Sequence, residues 1–117
     1  MKTIDETLRY AVVKKILDGD LDSALRLLSD QYGVSTPSFR VGTVKGHRRC
    51  LACYMEKHKA IVFANSEALR SPRVVLHEFY HHLIASTTLK GGGTDKDAER
   101  FVRRFLRPPT RPQANHG

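Results

Sequence analysis

Two histidines and a glutamate lie close together in the sequence, at a spacing that suits metal chemistry. The segment reads His77-Glu78-Phe79-Tyr80-His81, which is an H-E-x-x-H pattern. In a helix, residues four apart lie on one face, so the imidazoles of His77 and His81 can bind one Zn²⁺. The carboxylate of Glu78 is placed to act as general base on a water whose pKa the zinc lowers. The pattern therefore predicts zinc-dependent hydrolysis.

The residues around this pattern predict the helix that the chemistry requires. Ser71 is a capping residue and Pro72 suits the first helical position, so a helix is predicted from there to about residue 86 or 87. The helix is apolar on most sides and is predicted to be largely buried. Buried histidine and glutamate side chains cost free energy without a partner, and a metal ion is the simplest partner; a solvated strip on an ordinary helix is the alternative. His82 points about 100° away from His81 and is predicted to be structural or to face substrate.

A catalytic zinc site needs a third protein ligand and one open position. Four downstream residues offer suitable atoms: Asp95, Asp97, Glu99 and His116. We predict that Glu99 is the third zinc ligand, because it lies at the border of the apolar face of a last helix that is predicted over 95–106. Asp95 lies one turn earlier on the same side and is predicted to orient His77 or His81. A surface ion pair is the alternative role for Glu99.

The remaining elements predict an α+β fold. Two helices are predicted over about 3–17 and 20–31, with Asp20 capping the second and Gly33 ending it. Three strands follow and are expected to form a small meander. The predicted strands cover residues 39–45, 50–55 and 60–64, with turns at Gly46 and at 57–59.

Length and composition predict one cytoplasmic domain over 1–106, followed by a tail over 107–117. The sequence has 117 residues, two cysteines and a formal charge of +8. It contains no membrane span and no apolar signal region, and two cysteines do not make a disulfide scaffold. The positive charge suits acidic partners such as nucleic acid, but its spread along the chain fits a role in solubility better. We expect a monomer or weak oligomer, with a swapped last helix conceivable through the glycines at 91–93.

Residues 74–83 and 97–101 resemble the gluzincin group of zinc metallopeptidases, and the short chain is similar to the minimal soluble minigluzincins. The resemblance covers about residues 38–106. It implies a zincin-like domain with two N-terminal helices, a three-stranded sheet, an active-site helix and a C-terminal helix that supplies Glu99 as a ligand. It also implies a peptide or protein substrate that pairs with an edge strand, either 50–55 or 60–64. Some minimal members are latent, so the tail over 107–117 is predicted to cover the cleft.

Two other functions remain open. Cys50, Cys53, His77 and His81 could form a closed structural zinc site on a protein that binds nucleic acid. The spacer from Cys53 to His77 is 23 residues, against about 12 in zinc fingers of that kind, and cysteines three apart in a strand face opposite sides. The other possibility is a peptidase-like scaffold that binds its partner without cutting it.

Overall fold

The computed structural model describes residues 6–43, 50–87 and 93–106. These residues form four helices and one three-stranded sheet, which confirms the α+β class. The elements in chain order are α1 (Glu6–Leu17), α2 (Leu21–Tyr32), β1 (Ser38–Val41), β2 (Ala52–Met55), β3 (Ala60–Phe63), α3 (Pro72–Thr87) and α4 (Asp95–Leu106). Across the described parts of the chain, no helix combines the length and the apolar character that a membrane span requires.

Local capping interactions set the helix boundaries close to where the sequence predicts them. The Asp20 carboxylate accepts a hydrogen bond from a backbone N–H in the first turn of α2. At α3, the Ser71 hydroxyl accepts the N–H of Val74 at 3.3 Å. At α4, the Thr94 hydroxyl accepts the N–H of Asp97 at 3.1 Å. Residues 1–5, 88–92 and the predicted tail lie outside the described residues.

The predicted meander is wrong. A meander would place β2 in the centre of the sheet, whereas β3 lies there. The strand order is β1-β3-β2, with β1 parallel and β2 antiparallel to β3. Every residue of β3 is buried, whereas the residues of β1 and β2 are exposed or half-buried. A continuous apolar strand is most stable with neighbours on both sides, so β3 takes the centre and the more polar strands take the edges. The end of the first predicted strand and the turn at Gly46 fall on residues 44–49, outside the described residues.

One hydrophobic core joins all four helices to β3. α4 packs along α3 and turns its predicted apolar face inward, and the four residues of that face are all buried: Ala98, Phe101, Val102 and Phe105. The C-terminal end of α4 is also tied to α1, since the Arg9 Nε donates a hydrogen bond to the Phe105 carbonyl at 2.9 Å. These contacts fix the position of α4 relative to α3.

Because Phe105 lies at this junction with 1% of its surface exposed, replacing it should loosen the whole helix. We expect Phe105→Ala to lower the free energy of unfolding by about 3–5 kcal/mol, since it leaves a cavity among packed side chains. Urea unfolding followed by circular dichroism measures this change. The control is Leu17→Ala, because Leu17 is 55% exposed and should change stability by less than about 1 kcal/mol. Equal losses in the two variants would contradict the packing role given to α4.

Candidate metal centre

The first two site residues lie together on α3, as their spacing predicts. His77 and His81 are one helical turn apart, and their ring centroids are 5.1 Å apart in an edge-to-face arrangement. Both side chains are mostly buried. Because the two rings share one face, their Nε2 atoms can approach the same point in space.

That point is occupied by a carboxylate from α4. The Oδ1 of Asp95 lies 3.2 Å from the Nε2 of His77 and 3.0 Å from the Nε2 of His81. The ligand atoms of the three residues all lie within 4.8 Å of one another, so the group could hold a metal ion. Asp95 is 85% exposed, which leaves the group open on its solvent side. Two imidazole nitrogens and one carboxylate oxygen are a donor set that suits zinc.

Glu99, the predicted third ligand, lies on the other side of the His77 ring. Its Oε2 is 2.7 Å from the Nδ1 of His77, and its Oε1 accepts a hydrogen bond from the Arg73 guanidinium at 2.9 Å. Both oxygens therefore have partners away from the Nε2 atoms. A carboxylate in this place selects the tautomer of the imidazole and fixes the orientation of the ring.

The other two ligand candidates are separate from this group. Asp97 pairs with Arg100 on the outer side of α4, at 3.6 Å. His116 lies outside the described residues. Among the carboxylates of α4 that the structure describes, Asp95 is the one that contacts both imidazole Nε2 atoms, and Glu99 is the one placed to orient His77.

The charges around the histidines favour a cation between them. Hydrogen bonds with His77 and His81 lower the pKa of Asp95, so this carboxyl is ionised at neutral pH. Burial lowers the pKa of His77, but the hydrogen bond to Glu99 and the negative charge of Glu78 outweigh it and raise that pKa above its ordinary value. Three carboxylates thus surround the two rings. Such a site attracts positive charge, either as a proton or as a metal ion.

Glu78 points to the side of α3 that faces the sheet. Its side chain is buried, and burial raises the pKa of its carboxyl, although the positive charges of His77 and His81 oppose the rise. The backbone N–H of Tyr54, in β2, donates a hydrogen bond to this carboxylate. Glu78 is therefore held between the metal centre and strand β2.

The sheet order decides which strand can receive an extended substrate. β3 is paired on both sides, so of the two predicted strands only β2 lies at an edge of the sheet that the described residues form. The Ala64 N–H donates to the Leu51 carbonyl at 2.8 Å. In an antiparallel pair the alternate residues face outward, so the backbone groups of Ala52 and Tyr54 point away from β3. This outer edge of β2 thus runs past Glu78.

His82 forms a buried network that sequence reasoning did not find. Its Nε2 lies 2.7 Å from the Ser35 carbonyl oxygen, and its Nδ1 lies 2.8 Å from the Tyr54 hydroxyl. A carbonyl can only accept, so the proton is on Nε2 and the Tyr54 hydroxyl donates to Nδ1. Burial lowers the pKa of His82, which keeps the ring neutral. Of its two predicted roles, His82 has the structural one. No spacing rule links a strand tyrosine to a histidine on a later helix, so the sequence held no signal for this pair.

The two cysteines are not part of the metal centre. Cys50 is exposed and Cys53 is half-buried, where burial raises the pKa of its thiol. Within the described residues, the group that could hold a metal contains His77, His81 and Asp95 and neither cysteine. The contacts of the described residues therefore do not support a closed site of two cysteines and two histidines.

We expect Tyr54→Phe to lower the free energy of unfolding by about 1–3 kcal/mol, because it leaves the buried Nδ1 of His82 without a donor. Urea unfolding at pH 7.5 measures the loss. Tyr10→Phe is the matched control, since Tyr10 is 70% exposed and its hydroxyl can bond to water. If both tyrosines can be replaced at the same small cost, the hydrogen bond to His82 contributes nothing to the fold.

Comparison with known proteins adds no further assignment. No protein-family model, no curated protein and no solved structure matches this chain.

Proposed function

We propose that this protein is a zinc-dependent metallopeptidase in which Glu78 acts as general base. The observation that carries the proposal is the meeting of the His77 and His81 Nε2 atoms with one carboxylate oxygen of Asp95. Glu78, the residue after the first histidine, is close enough to this group for all three charges to affect its pKa. Two histidines, a carboxylate and an adjacent glutamate are the parts that metal-assisted peptide hydrolysis requires.

In this proposal His77, His81 and Asp95 hold the ion, and Glu99 orients His77. The exposed side of Asp95 supports it, because a catalytic zinc keeps one position open for water or substrate. The hydrogen bond from the Nδ1 of His77 to Glu99 leaves the Nε2 free to bind metal. The ion, when bound, supplies Lewis acidity that polarises the scissile carbonyl and lowers the pKa of water.

The remaining steps belong to the side chains and backbone of the protein. Glu78 takes a proton from the attacking water and passes it to the leaving amine. The Tyr54 N–H holds the Glu78 carboxylate in place for both transfers. The outward N–H and carbonyl of Ala52 and the outward carbonyl of Tyr54 pair with an extended peptide, which brings the scissile bond beside Glu78. The substrate class we propose is therefore an unfolded or extended segment of a peptide or protein.

The ligand assignment predicts different zinc affinities for variants of the two carboxylates on α4. Asp95→Ala should lose zinc almost as fully as His81→Ala, because each removes a direct ligand. Glu99→Ala should weaken binding by about 10–100-fold, and Glu99→Gln should restore most of the loss, since its amide oxygen still accepts from the Nδ1 of His77. Zinc affinity is measured by titration against a competing chelator.

Two exposed residues provide the controls for this titration. His58→Ala and Cys50→Ser should both bind zinc as tightly as the wild type. If Glu99→Gln loses zinc as completely as His81→Ala, Glu99 is the ligand and the assignment of Asp95 is wrong. Loss of zinc in Cys50→Ser would instead support the closed structural site.

The general-base role predicts that Glu78→Gln abolishes cleavage while zinc stays bound. The amide cannot take a proton, so the rate should fall by at least about 10²–10⁴-fold. The assay is mass spectrometry of a peptide library after incubation with the zinc-loaded protein, both full-length and lacking residues 107–117, whose removal should raise activity if the tail covers the cleft. Glu67→Gln, on the exposed surface, is the matched control. If the zinc-loaded wild type cuts no peptide, either at full length or without residues 107–117, the peptidase proposal is wrong. The protein would then act as a scaffold that binds its partner without cutting it.

A further inference from the structure

α4 has a second face, on its outer side, that the metal centre does not use. Four cationic residues recur at spacings of four, three and one, which places them on one side of the helix. All are exposed, and we call them the α4 cationic face: Lys96, Arg100, Arg103 and Arg104. They lie opposite the apolar residues that pack on α3, and beside the helix edge that carries Asp95 and Glu99.

Within the described residues, most of this positive charge is not paired with a carboxylate. Among the ion pairs of the described residues, one involves this face: Arg100 approaches Asp97 at 3.6 Å. Such an exposed pair three residues apart is weak and readily exchanges its partner. Outward cations that repel one another are stabilised by an anionic partner, so the face favours a ligand with repeated negative charges.

Two tyrosine rings border the same face. Tyr32 and Tyr80 are half-buried, and both pack on Phe101, with ring centroids 5.9 Å and 5.6 Å from it. Burial raises the pKa of both phenols; Asp97 adds to the rise at Tyr80, whereas Arg104 opposes it at both rings and Arg100 at Tyr80. The cationic face therefore adjoins, beside Asp97, an aromatic edge that packs on the core residue Phe101.

We propose that the α4 cationic face binds single-stranded nucleic acid, with its cations on the phosphates and its tyrosine edge against the bases. The four cations are spread over a rise of about 12 Å along the helix, so a single strand that follows the helix can place about one phosphate against each of them. Regular cations beside aromatic rings are the combination that binds single strands without reading sequence. An acidic peptide could meet the cations, but its carboxylates offer nothing that stacks on tyrosine. This surface does not depend on the proposed peptidase activity.

The test measures fluorescence anisotropy of a labelled 20-nucleotide oligothymidine with the full chain. The variant carries Arg100→Gln, Arg103→Gln and Arg104→Gln together, and should bind about tenfold or more weakly at low salt. In the wild type, the slope of log affinity against log salt should be about −2 to −3, and the variant should lose most of it, since each phosphate contact on a single strand contributes about −0.7. The circular dichroism spectrum and the midpoint of urea unfolding are measured on the same samples and should stay close to those of the wild type, which shows that α4 still packs on α3.

A matched variant separates this face from net charge alone. Lys14→Gln, Arg26→Gln and Lys57→Gln together remove the same charge from three exposed residues on other elements, and should retain at least most of the affinity. Equal weakening in both triple variants would overturn the proposal, because binding would then follow overall charge. Displacement of the oligonucleotide by an equal charge concentration of polyglutamate would also overturn it, in favour of an acidic protein partner. Equal affinity for a 20-base-pair duplex would remove the role of the tyrosine edge and with it the single-strand proposal.

Discussion

The packing of α4 against α3 is the constraint on which the candidate site depends. His77 and His81 lie on one helix, and Asp95, the residue that completes their group, begins the next one. The carboxylate reaches both rings because α4 buries four apolar residues and because Arg9 ties its far end to α1. Buried apolar surface thus supplies the free energy that holds the exposed Asp95 carboxylate within 3.0–3.2 Å of the two largely buried imidazoles. If α4 slid along α3 by one turn, a different carboxylate would face the Nε2 atoms.

The sheet contributes the other wall of the site. Because β3 takes the centre, β2 becomes an edge strand that lies alongside α3. β2 then holds α3 twice, through the Tyr54 N–H on Glu78 and the Tyr54 hydroxyl on His82. Glu78 and His82 are one helical turn apart, so a single strand residue orients a stripe of α3 next to the metal centre. The Glu78 and His82 side chains are both buried. A buried polar group costs free energy unless it has a hydrogen-bond partner, and Tyr54 provides one for each of them.

Apart from Asp97, which pairs with Arg100, α4 carries its carboxylates and its cations on different sides of one helix. One side buries the core, the adjoining edge presents Asp95 and Glu99 to α3, and the outer side presents lysine and arginine to solvent. The carboxylates favour positive charge at the candidate metal centre, whereas the cations on the outer side favour anions at a neighbouring surface. Successive residues of a helix point about 100° apart. A short helix can therefore present different residues to two different surfaces.

The sequence by itself determined what depends on residues close together in the chain. Caps such as Ser71 and Thr94 set the helix starts, and the spacing of His77 and His81 put both imidazoles on one face, because helical geometry repeats within a single turn. Only the tertiary structure decided which carboxylate met them. Asp95 and Glu99 lie on the same side of α4, one turn apart, and they contact different nitrogens of His77 because of the offset between the two packed helices. The central place of β3 and the bond between Tyr54 and His82 likewise arise from packing between distant segments, which no local pattern encodes.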